Sequence, residues 1–192
     1  MKNLLKKGLA LTLCMGMIFS MNIGASAAEP RVSNFGSLAG KKVRVVSYAH
    51  PAQELNVLTA KDITNNKNVT TWPSSQADIF HNFFVIDEGN SKFSFRCEQT
   101  STFAVEYYYG SSNMHNCDVY YTLAGPAYIL PEDYQFTPSS LAYFYKFHVA
   151  KNNYALTTAE NMTVTGQSIK NVRWAPGNVS DDNQGWTITV IA

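Results

Sequence analysis

Two aromatic pairs with the same spacing constrain the fold of this chain more than any other feature. Trp72 lies twelve residues before Phe84, and Trp174 lies twelve residues before Trp186. Similar short segments, residues 55–57 and 155–157, precede the two tryptophans at distances that match to within one residue. A spacing that recurs in this way indicates that one structural unit has been used more than once.

A further unit lies between these two. Adding fifty to the numbers of the first unit aligns Asn56 with Glu106 and Trp72 with Thr122, without a gap. Each unit reads as four short strands separated by residues that favour turns. The pattern therefore predicts an all-β fold of three repeats. The repeats span about residues 41–90, 91–140 and 141–192.

The N-terminal segment is predicted to direct export. Three lysines precede the apolar run Leu9–Ile18, and the small residues 25–28 are typical of a signal-peptidase site, so residues 1–28 read as a signal peptide. Residues 29–40 contain Pro, Ser, Asn and Gly without a period and are expected to form a flexible leader. One folded domain then spans residues 41–192, in a protein expected to be secreted and extracellular.

The charge balance excludes several classes of partner. Loss of the three signal-peptide lysines reduces the 15 basic residues to 12, against 14 acidic ones, so the mature chain carries a net charge of about −2. Such a chain offers no basic surface for nucleic acid or for anionic lipid. After the signal peptide, no stretch is long and apolar enough to span a membrane.

The sequence lacks the common motifs for catalysis and metal binding. The sequence contains no zinc-binding, nucleophile-elbow or phosphate-loop pattern. Adjacent carboxylates such as Asp87 and Glu88 point in different directions and do not suit glycoside hydrolysis. We therefore predict no enzyme activity, cofactor or metal site. The histidines have no metal-ligand spacing and are His50, His81, His115 and His148.

Two cysteines, Cys97 and Cys117, remain after signal-peptide removal. In an oxidising compartment an exported pair forms a disulfide more often than it stays as two thiols, so a Cys97–Cys117 bridge is expected. The alternative is two separate buried thiols that act as small apolar side chains.

The segment Gln184-Gly185-Trp186 carries the Gln-x-Trp signature of ricin B-type lectin repeats, and a strand tryptophan twelve residues earlier belongs to the same pattern. From residue 41 to 192 the chain resembles this family, whose fold is a β-trefoil. At the same position the first repeat has Asn82-Phe83-Phe84 and the second has Glu132-Asp133-Tyr134. The usual disulfide of the family lies elsewhere in a repeat, so the resemblance does not support the cysteine pairing.

The resemblance also implies which residues contact a sugar. In the family, a carboxylate on the second strand and an amide before the Gln-x-Trp aromatic bind hydroxyls, while an aromatic on the third strand stacks on the sugar ring. In the first repeat, the implied residues are Asn56, Thr70, Trp72 and Asn82. In the third repeat, they are Thr157, Trp174, Asn183 and Gln184. Alternatively, the two tryptophans only cover hydrophobic strand edges.

The second repeat departs furthest from the family pattern. It keeps an acid at Glu106 but has Thr122 at the stacking position, so a sugar there would need Tyr120 or Tyr121 instead. The third repeat has the non-acidic Thr157 where the family has a carboxylate.

The function implied by the resemblance is carbohydrate binding, with a galactose-type sugar as one candidate. The protein would then serve as a receptor-binding or haemagglutinin-like component of a toxin or adhesin complex, together with other subunits. One alternative is a trefoil that binds proteins and has lost sugar binding, which the departures in the second and third repeats favour. The other is a trefoil protease inhibitor that presents a reactive loop.

Overall fold

The computed structural model describes residues 34–59, 62–108, 115–122, 131–141 and 143–191. The predicted signal peptide, residues 1–28, and the start of the predicted leader lie outside these ranges. The strands within them are β1 (Lys42–Ser47), β2 (Gln53–Val57), β3 (Lys67–Pro73), β4 (Phe83–Gly89), β5 (Lys92–Cys97), β6 (Phe103–Tyr108), β7 (His115–Tyr121), β8 (Phe136–Ser140), β9 (Tyr145–Val149), β10 (Tyr154–Val164), β11 (Gln167–Pro176) and β12 (Trp186–Val190).

The helical elements of these ranges are short. They are α1 (Pro131–Tyr134) and the 3-10 turns Phe35–Leu38, Ser74–Gln76, Ile79–His81 and Asp182–Gln184. No helix of the described chain has the length and hydropathy that a membrane crossing requires.

The strands form three repeats of four. The first and last strands of the repeats close a ring through the pairs β1–β4, β4–β5, β5–β8, β8–β9, β9–β12 and β12–β1. The two middle strands of each repeat form a hairpin. The three hairpins contact one another through β3–β7, β7–β11 and β11–β3. This arrangement is a β-trefoil, so the predicted all-β trefoil of three repeats is confirmed.

Aromatic side chains fill the ring. Successive residues of a strand point to opposite faces, so every second residue of a ring strand enters the interior. Burial of each large aromatic side chain contributes roughly 1.5–3 kcal/mol, which makes this cluster a main source of stability. Its largest members are Phe83, Phe93, Phe95, Phe136, Phe147 and Trp186.

The prediction that residues 29–40 form a flexible leader is wrong for residues 34–40, the part that the structure describes. Asn34 caps the turn Phe35–Leu38 by accepting a hydrogen bond from the Gly36 N–H at 3.0 Å. Phe35 is only 4% exposed and closes the aromatic core. A regular pattern of apolar residues is not needed to fix a short segment, because one large buried side chain is enough. The sequence pattern therefore did not reveal the role of Phe35. The Phe35 ring lies 5.0–6.3 Å, between centroids, from the rings of Phe93, Phe95, Phe136, Tyr145 and Phe147.

The aromatic residue that opens the last strand of each repeat is Phe83, Phe136 or Trp186, and all three are buried. Phe83 and Phe136, rather than the predicted Phe84 and Tyr134, are therefore the counterparts of Trp186. The helical turns before these strands differ in length between repeats, so a constant offset of fifty residues is not kept. The Trp186 indole N–H donates to the Leu156 carbonyl at 2.9 Å, which fixes its position in the core.

The predicted Cys97–Cys117 disulfide is wrong, since both cysteines are free and buried. Cys97 ends β5, Cys117 lies on β7, and β6 pairs with both strands and separates them. Two strand spacings amount to about 9–10 Å, beyond the roughly 7 Å between Cα atoms that a disulfide spans. Burial raises the pKa of Cys97 to about 12 and that of Cys117 well above its usual value. The alternative of two separate apolar thiols describes the structure.

Candidate functional site

The outer face of the β2–β3 hairpin gathers polar and aromatic side chains. Glu54 lies directly opposite Trp72, and Asn56 lies directly opposite Thr70. Leu55, between the two β2 residues, is fully buried, so these four side chains share the other face of the hairpin. The structure thus brings together three of the four residues predicted for the first repeat and adds a carboxylate to them.

The Glu54–Trp72 pair is the centre of this face. The indole of Trp72 is half-buried, and its N–H donates to the Gln76 side-chain oxygen at 3.2 Å. Glu54 is 7% exposed, and its Oε2 has no hydrogen-bond partner among the described residues. Arg44 Nε lies 3.7 Å from this oxygen. Burial raises the pKa of Glu54, and the Arg44 charge partly offsets that rise.

His81 adds an imidazole from the 3-10 turn Ile79–His81, which packs against β2. Its Nδ1 lies 3.0 Å from the Asp78 backbone nitrogen and 3.1 Å from Asp78 Oδ1, so the tautomer decides whether Nδ1 accepts from the first or donates to the second. His81 is 1% exposed, and its Nε2 has no partner within the described chain. Burial lowers the pKa of His81, although its contacts with Asp78 oppose this, and so favours the neutral ring.

Four buried side-chain polar atoms described in the first repeat therefore lack a hydrogen-bond partner: Glu54 Oε2, Asn68 Oδ1, Thr70 Oγ1 and His81 Nε2. A buried polar group left without a hydrogen bond costs about 1–3 kcal/mol. Native proteins satisfy nearly all such groups with protein, water or ligand. An acid, a hydroxyl and an imidazole nitrogen are thus buried in this repeat without a hydrogen-bond partner.

Asn82, the fourth residue predicted for the first repeat, bonds to protein at both ends of its amide. Its Nδ2 donates to Glu98 Oε2 at 2.6 Å, and its Oδ1 accepts from Arg44 Nε at 3.2 Å. Lys42 pairs with the same Glu98 at 3.0 Å. Asn82 therefore holds Arg44, which faces Glu54, and lies beside the site.

Trp174 does not form a sugar-stacking surface, contrary to the prediction. It is 2% exposed and its indole N–H donates to the Glu106 carbonyl at 2.9 Å. It lies opposite Leu156 in the third repeat, as Thr71 lies opposite Leu55 in the first. The counterpart of Trp174 is therefore Thr71. A shift of one residue along a strand moves a side chain to the opposite face, which explains the error.

Two further residues predicted for the third repeat are occupied within the fold. Gln184 is 1% exposed; its oxygen accepts the Asn178 N–H at 2.8 Å and its amide donates to the Pro176 carbonyl at 3.0 Å. Thr157 is 5% exposed and its hydroxyl donates to the Ala155 carbonyl at 2.7 Å. The predicted third site is therefore not assembled.

Asn183 alone of that group is exposed, and its amide donates to Asp181 Oδ1 at 3.0 Å. The counterparts of Glu54 and Trp72 in this repeat are Ala155 and Ala175, which pair across β10 and β11. The third repeat thus lacks both the acid and the outward aromatic side chain.

In the second repeat the acid and the aromatic residue do not lie opposite each other. Tyr120 occupies the place of Trp72, but it faces Ala104, while Glu106 faces Asp118. Glu106 is 1% exposed and its Oε1 has no partner among the described residues. Burial, followed by the charges of Asp118 and Asp133, raises the pKa of Glu106 to about 8.

Sequence reasoning missed Glu54, Arg44 and His81. Glu54 stands two residues before Asn56 on one strand, and the period of two along a strand would have placed it on the same face. The roles of Arg44 and His81 depend on contacts between distant segments, which no local pattern shows. No group of three His, Cys, Asp or Glu side chains in the described ranges is arranged to hold a metal ion.

Comparison with protein-family models gives no match, and comparison with curated proteins gives none either. Solved structures do match. The designed threefold-symmetric protein ThreeFoil gives a TM-score of 0.61 at 18% identity, over 77% of this chain and 96% of ThreeFoil. A Polyporus squamosus lectin, solved with a human-type influenza-binding epitope, gives 0.60 at 10% identity, over 78% of this chain and 49% of the lectin.

A mosquitocidal holotoxin gives a TM-score of 0.63 at 12% identity, over 80% of this chain and 17% of the toxin. This chain thus spans about half the length of the lectin and less than a fifth of the holotoxin. At these identities the likeness shows the β-trefoil fold.

Proposed function

We propose that this protein is a secreted carbohydrate-binding β-trefoil whose main sugar site is the outer face of the β2–β3 hairpin. The observation that carries the proposal is the direct opposition of Glu54 and Trp72, in which a carboxylate oxygen without a hydrogen-bond partner adjoins a half-buried indole.

These groups match the two sides of a pyranose ring. One side presents C–H bonds, which pack against an aromatic face, and the hydroxyls present both donors and acceptors. Glu54 Oε2 is an acceptor, His81 Nε2 donates or accepts according to the tautomer, and the Thr70 hydroxyl can act as either. Arg44 at 3.7 Å partly balances the buried negative charge of Glu54. The site can thus accommodate a neutral sugar without leaving its buried groups unpaired.

A single site of this kind should bind weakly. Few polar groups are desolvated on a shallow face, so we expect millimolar to high-micromolar affinity, roughly 4–6 kcal/mol. Only the first repeat pairs an acid with an outward aromatic among the described hairpins. Useful retention on a cell surface would then need several protein molecules or partner subunits acting together.

The wider role is part of the same proposal. Residues 1–28 have the composition of a signal peptide, which supports export. A lectin and a holotoxin both contain a trefoil of this shape. Both observations support a receptor-binding component that acts outside the cell beside other polypeptides.

A glycan array tests the proposal. The parent protein should bind a subset of neutral glycans, and Trp72→Ala and Glu54→Gln should each reduce that binding. Tyr120→Ala is the matched control, because it removes the corresponding aromatic of the second repeat. Thermal melts verify that every variant is folded. If Trp72→Ala and Glu54→Gln bind like the parent, the sugar site is not on this face, and the protein-interaction alternative gains support.

A further inference from the structure

A second concave site lies away from the β2–β3 hairpin. A cleft of about 410 Å³ is bounded by the N-terminal turn, the β4–β5 turn and β8. It shares no residue with the Glu54–Trp72 face. Its size lies within the range of pockets that bind small molecules. Its polar rim consists of Asp87, Asn90, Ser91, Thr137 and Ser140, and its lining also includes Phe35, Phe93 and Pro138.

The rim carries polar side chains with free hydrogen-bonding capacity. Asn90, Ser91, Thr137 and Ser140 are exposed, and no hydrogen bond joins any of their side chains to another described residue. Asp87 uses one carboxylate oxygen to accept the Gly89 N–H at 2.8 Å, which leaves the other oxygen available. Hydroxyls and amides both donate and accept hydrogen bonds, as sugar hydroxyls require.

Two aromatic side chains and a proline contribute the apolar part of the lining. Phe35 and Phe93 are 4% and 6% exposed, and their rings meet edge to face at 5.0 Å. Pro138 lies beside them on β8. These rings are almost wholly covered, so hydrogen bonds from the rim would provide most of the contact with a ligand.

The β4–β5 turn adopts a strained conformation to form the rim. Gly89, Asn90 and Ser91 have φ angles of 85°, 54° and 58°. Tight hairpins prefer glycine after asparagine, since glycine enters this region without steric cost. Ser91 instead occupies it at an energetic cost and adds a hydroxyl to the cleft. Strain of this kind concentrates at functional sites.

We propose that this cleft is a separate binding site for a neutral saccharide. No lysine, arginine or histidine is among the described residues that line it, while Asp87 contributes a negative charge. An anionic sugar would therefore meet repulsion without a compensating cation. The proposal does not depend on sugar binding at the Glu54–Trp72 face, because the two sites have no residue in common.

Protein NMR tests this site directly. The isotopically labelled secreted protein is titrated with glucose, galactose, mannose and N-acetylglucosamine, and with N-acetylneuraminic acid as the anionic probe. We expect at least one neutral sugar to shift resonances of residues 34–36, 87–93 and 137–140, in the parent and in Trp72→Ala alike. The acidic sugar should leave them unchanged. No shift with any neutral sugar, or an equal shift with the acidic one, would overturn the proposal.

Ser91→Gly separates ligand binding from folding. The change relieves the positive φ angle and should not lower the melting temperature, yet it removes one rim hydroxyl and should weaken binding about three- to tenfold. Thr165→Gly is the matched control, since Thr165 has a φ angle of 47° at the tip of the β10–β11 hairpin and does not line the cleft. It should leave binding unchanged. Undiminished binding by Ser91→Gly would contradict the assignment of this rim.

Discussion

Glu106 lies directly opposite Asp118 in the β6–β7 pair, and both carboxyl groups are buried, at 1% and 6% exposure. Burial and mutual repulsion raise the pKa of Glu106 to about 8, and burial raises that of Asp118. The Asn116 amide donates a hydrogen bond to Asp118 Oδ1 at 2.6 Å, which stabilises the charged form of Asp118 and not that of Glu106. The second repeat therefore carries a carboxyl group that is easier to keep protonated in the folded protein than in the unfolded chain.

The first prediction concerns stability against pH. The folded-state pKa of Glu106 is about 8 against an ordinary value of 4.5, so the folded protein binds the extra proton in this interval. Its contribution to stability is present below about pH 4.5 and is lost as the pH rises through 8, by up to about 1.4 kcal/mol per pH unit. Glu106→Gln should flatten this fall, measured by urea unfolding at several pH values. Glu132→Gln, at an exposed acid on α1, should not.

The second prediction concerns the effect on stability of removing Trp72 or Trp174, which the sequence pattern placed at equivalent positions. Trp174→Ala removes a buried core side chain and should cost about 3–5 kcal/mol of unfolding free energy. Trp72→Ala alters a half-buried surface position and should cost less than about 1 kcal/mol. Denaturant unfolding of both variants measures the difference. Equal losses would contradict the opposite orientations of the two side chains.

The third prediction is that both cysteines remain reduced. Their separation by β6 and their raised pKa values leave them unable to pair and poorly reactive. Mass spectrometry should show no iodoacetamide addition at Cys97 or Cys117 in the native protein. After unfolding without reductant, two additions are expected. Material that accepts no label after unfolding would instead contain the disulfide.

The fourth prediction concerns the N-terminal anchor. Phe35→Ala should destabilise the protein by about 3–5 kcal/mol, because it empties a space surrounded by aromatic rings. Ser37→Ala, at an exposed position of the same turn, should change the unfolding free energy by less than about 0.5 kcal/mol. Thermal and urea unfolding provide the comparison. A flexible leader would tolerate both changes equally.

The fold could be predicted from the sequence because a repeat is a global property. Three similar units require three similar supersecondary structures, whatever the details of each. The Gln-x-Trp segment also located Trp186, a true core residue. Register was harder to predict. An insertion of one residue between repeats leaves the pattern visible but reverses the face of every following side chain, as Trp174 and Phe84 show.

The candidate site was only partly predictable for a related reason. Asn56, Thr70 and Trp72 lie on adjacent strands of one hairpin, where local spacing determines which side chains share a face. Arg44 and His81 reach the same region from a ring strand and a 3-10 turn, through contacts that the trefoil alone creates. Phe35 was missed likewise, because its burial depends on the closure of the ring around it.

The last prediction is that Glu54 is retained at a cost to stability. Its buried oxygen lacks a hydrogen bond, and Arg44 at 3.7 Å compensates the charge incompletely. Glu54→Gln keeps the shape of the side chain and removes the desolvated charge, so it should raise the unfolding free energy by up to about 1 kcal/mol at neutral pH.

The same change should weaken glycan binding at the Glu54–Trp72 face, since a neutral amide oxygen is a weaker acceptor for sugar hydroxyls than a carboxylate. Glu98→Gln is the control, because Glu98 pairs with Lys42 and bonds to Asn82 outside the site, and its loss should lower stability while binding persists. Urea unfolding and array binding are measured on the same preparations. A Glu54→Gln protein that is less stable than the parent would identify Glu54 as a structural partner of Arg44 instead of a ligand-binding acid.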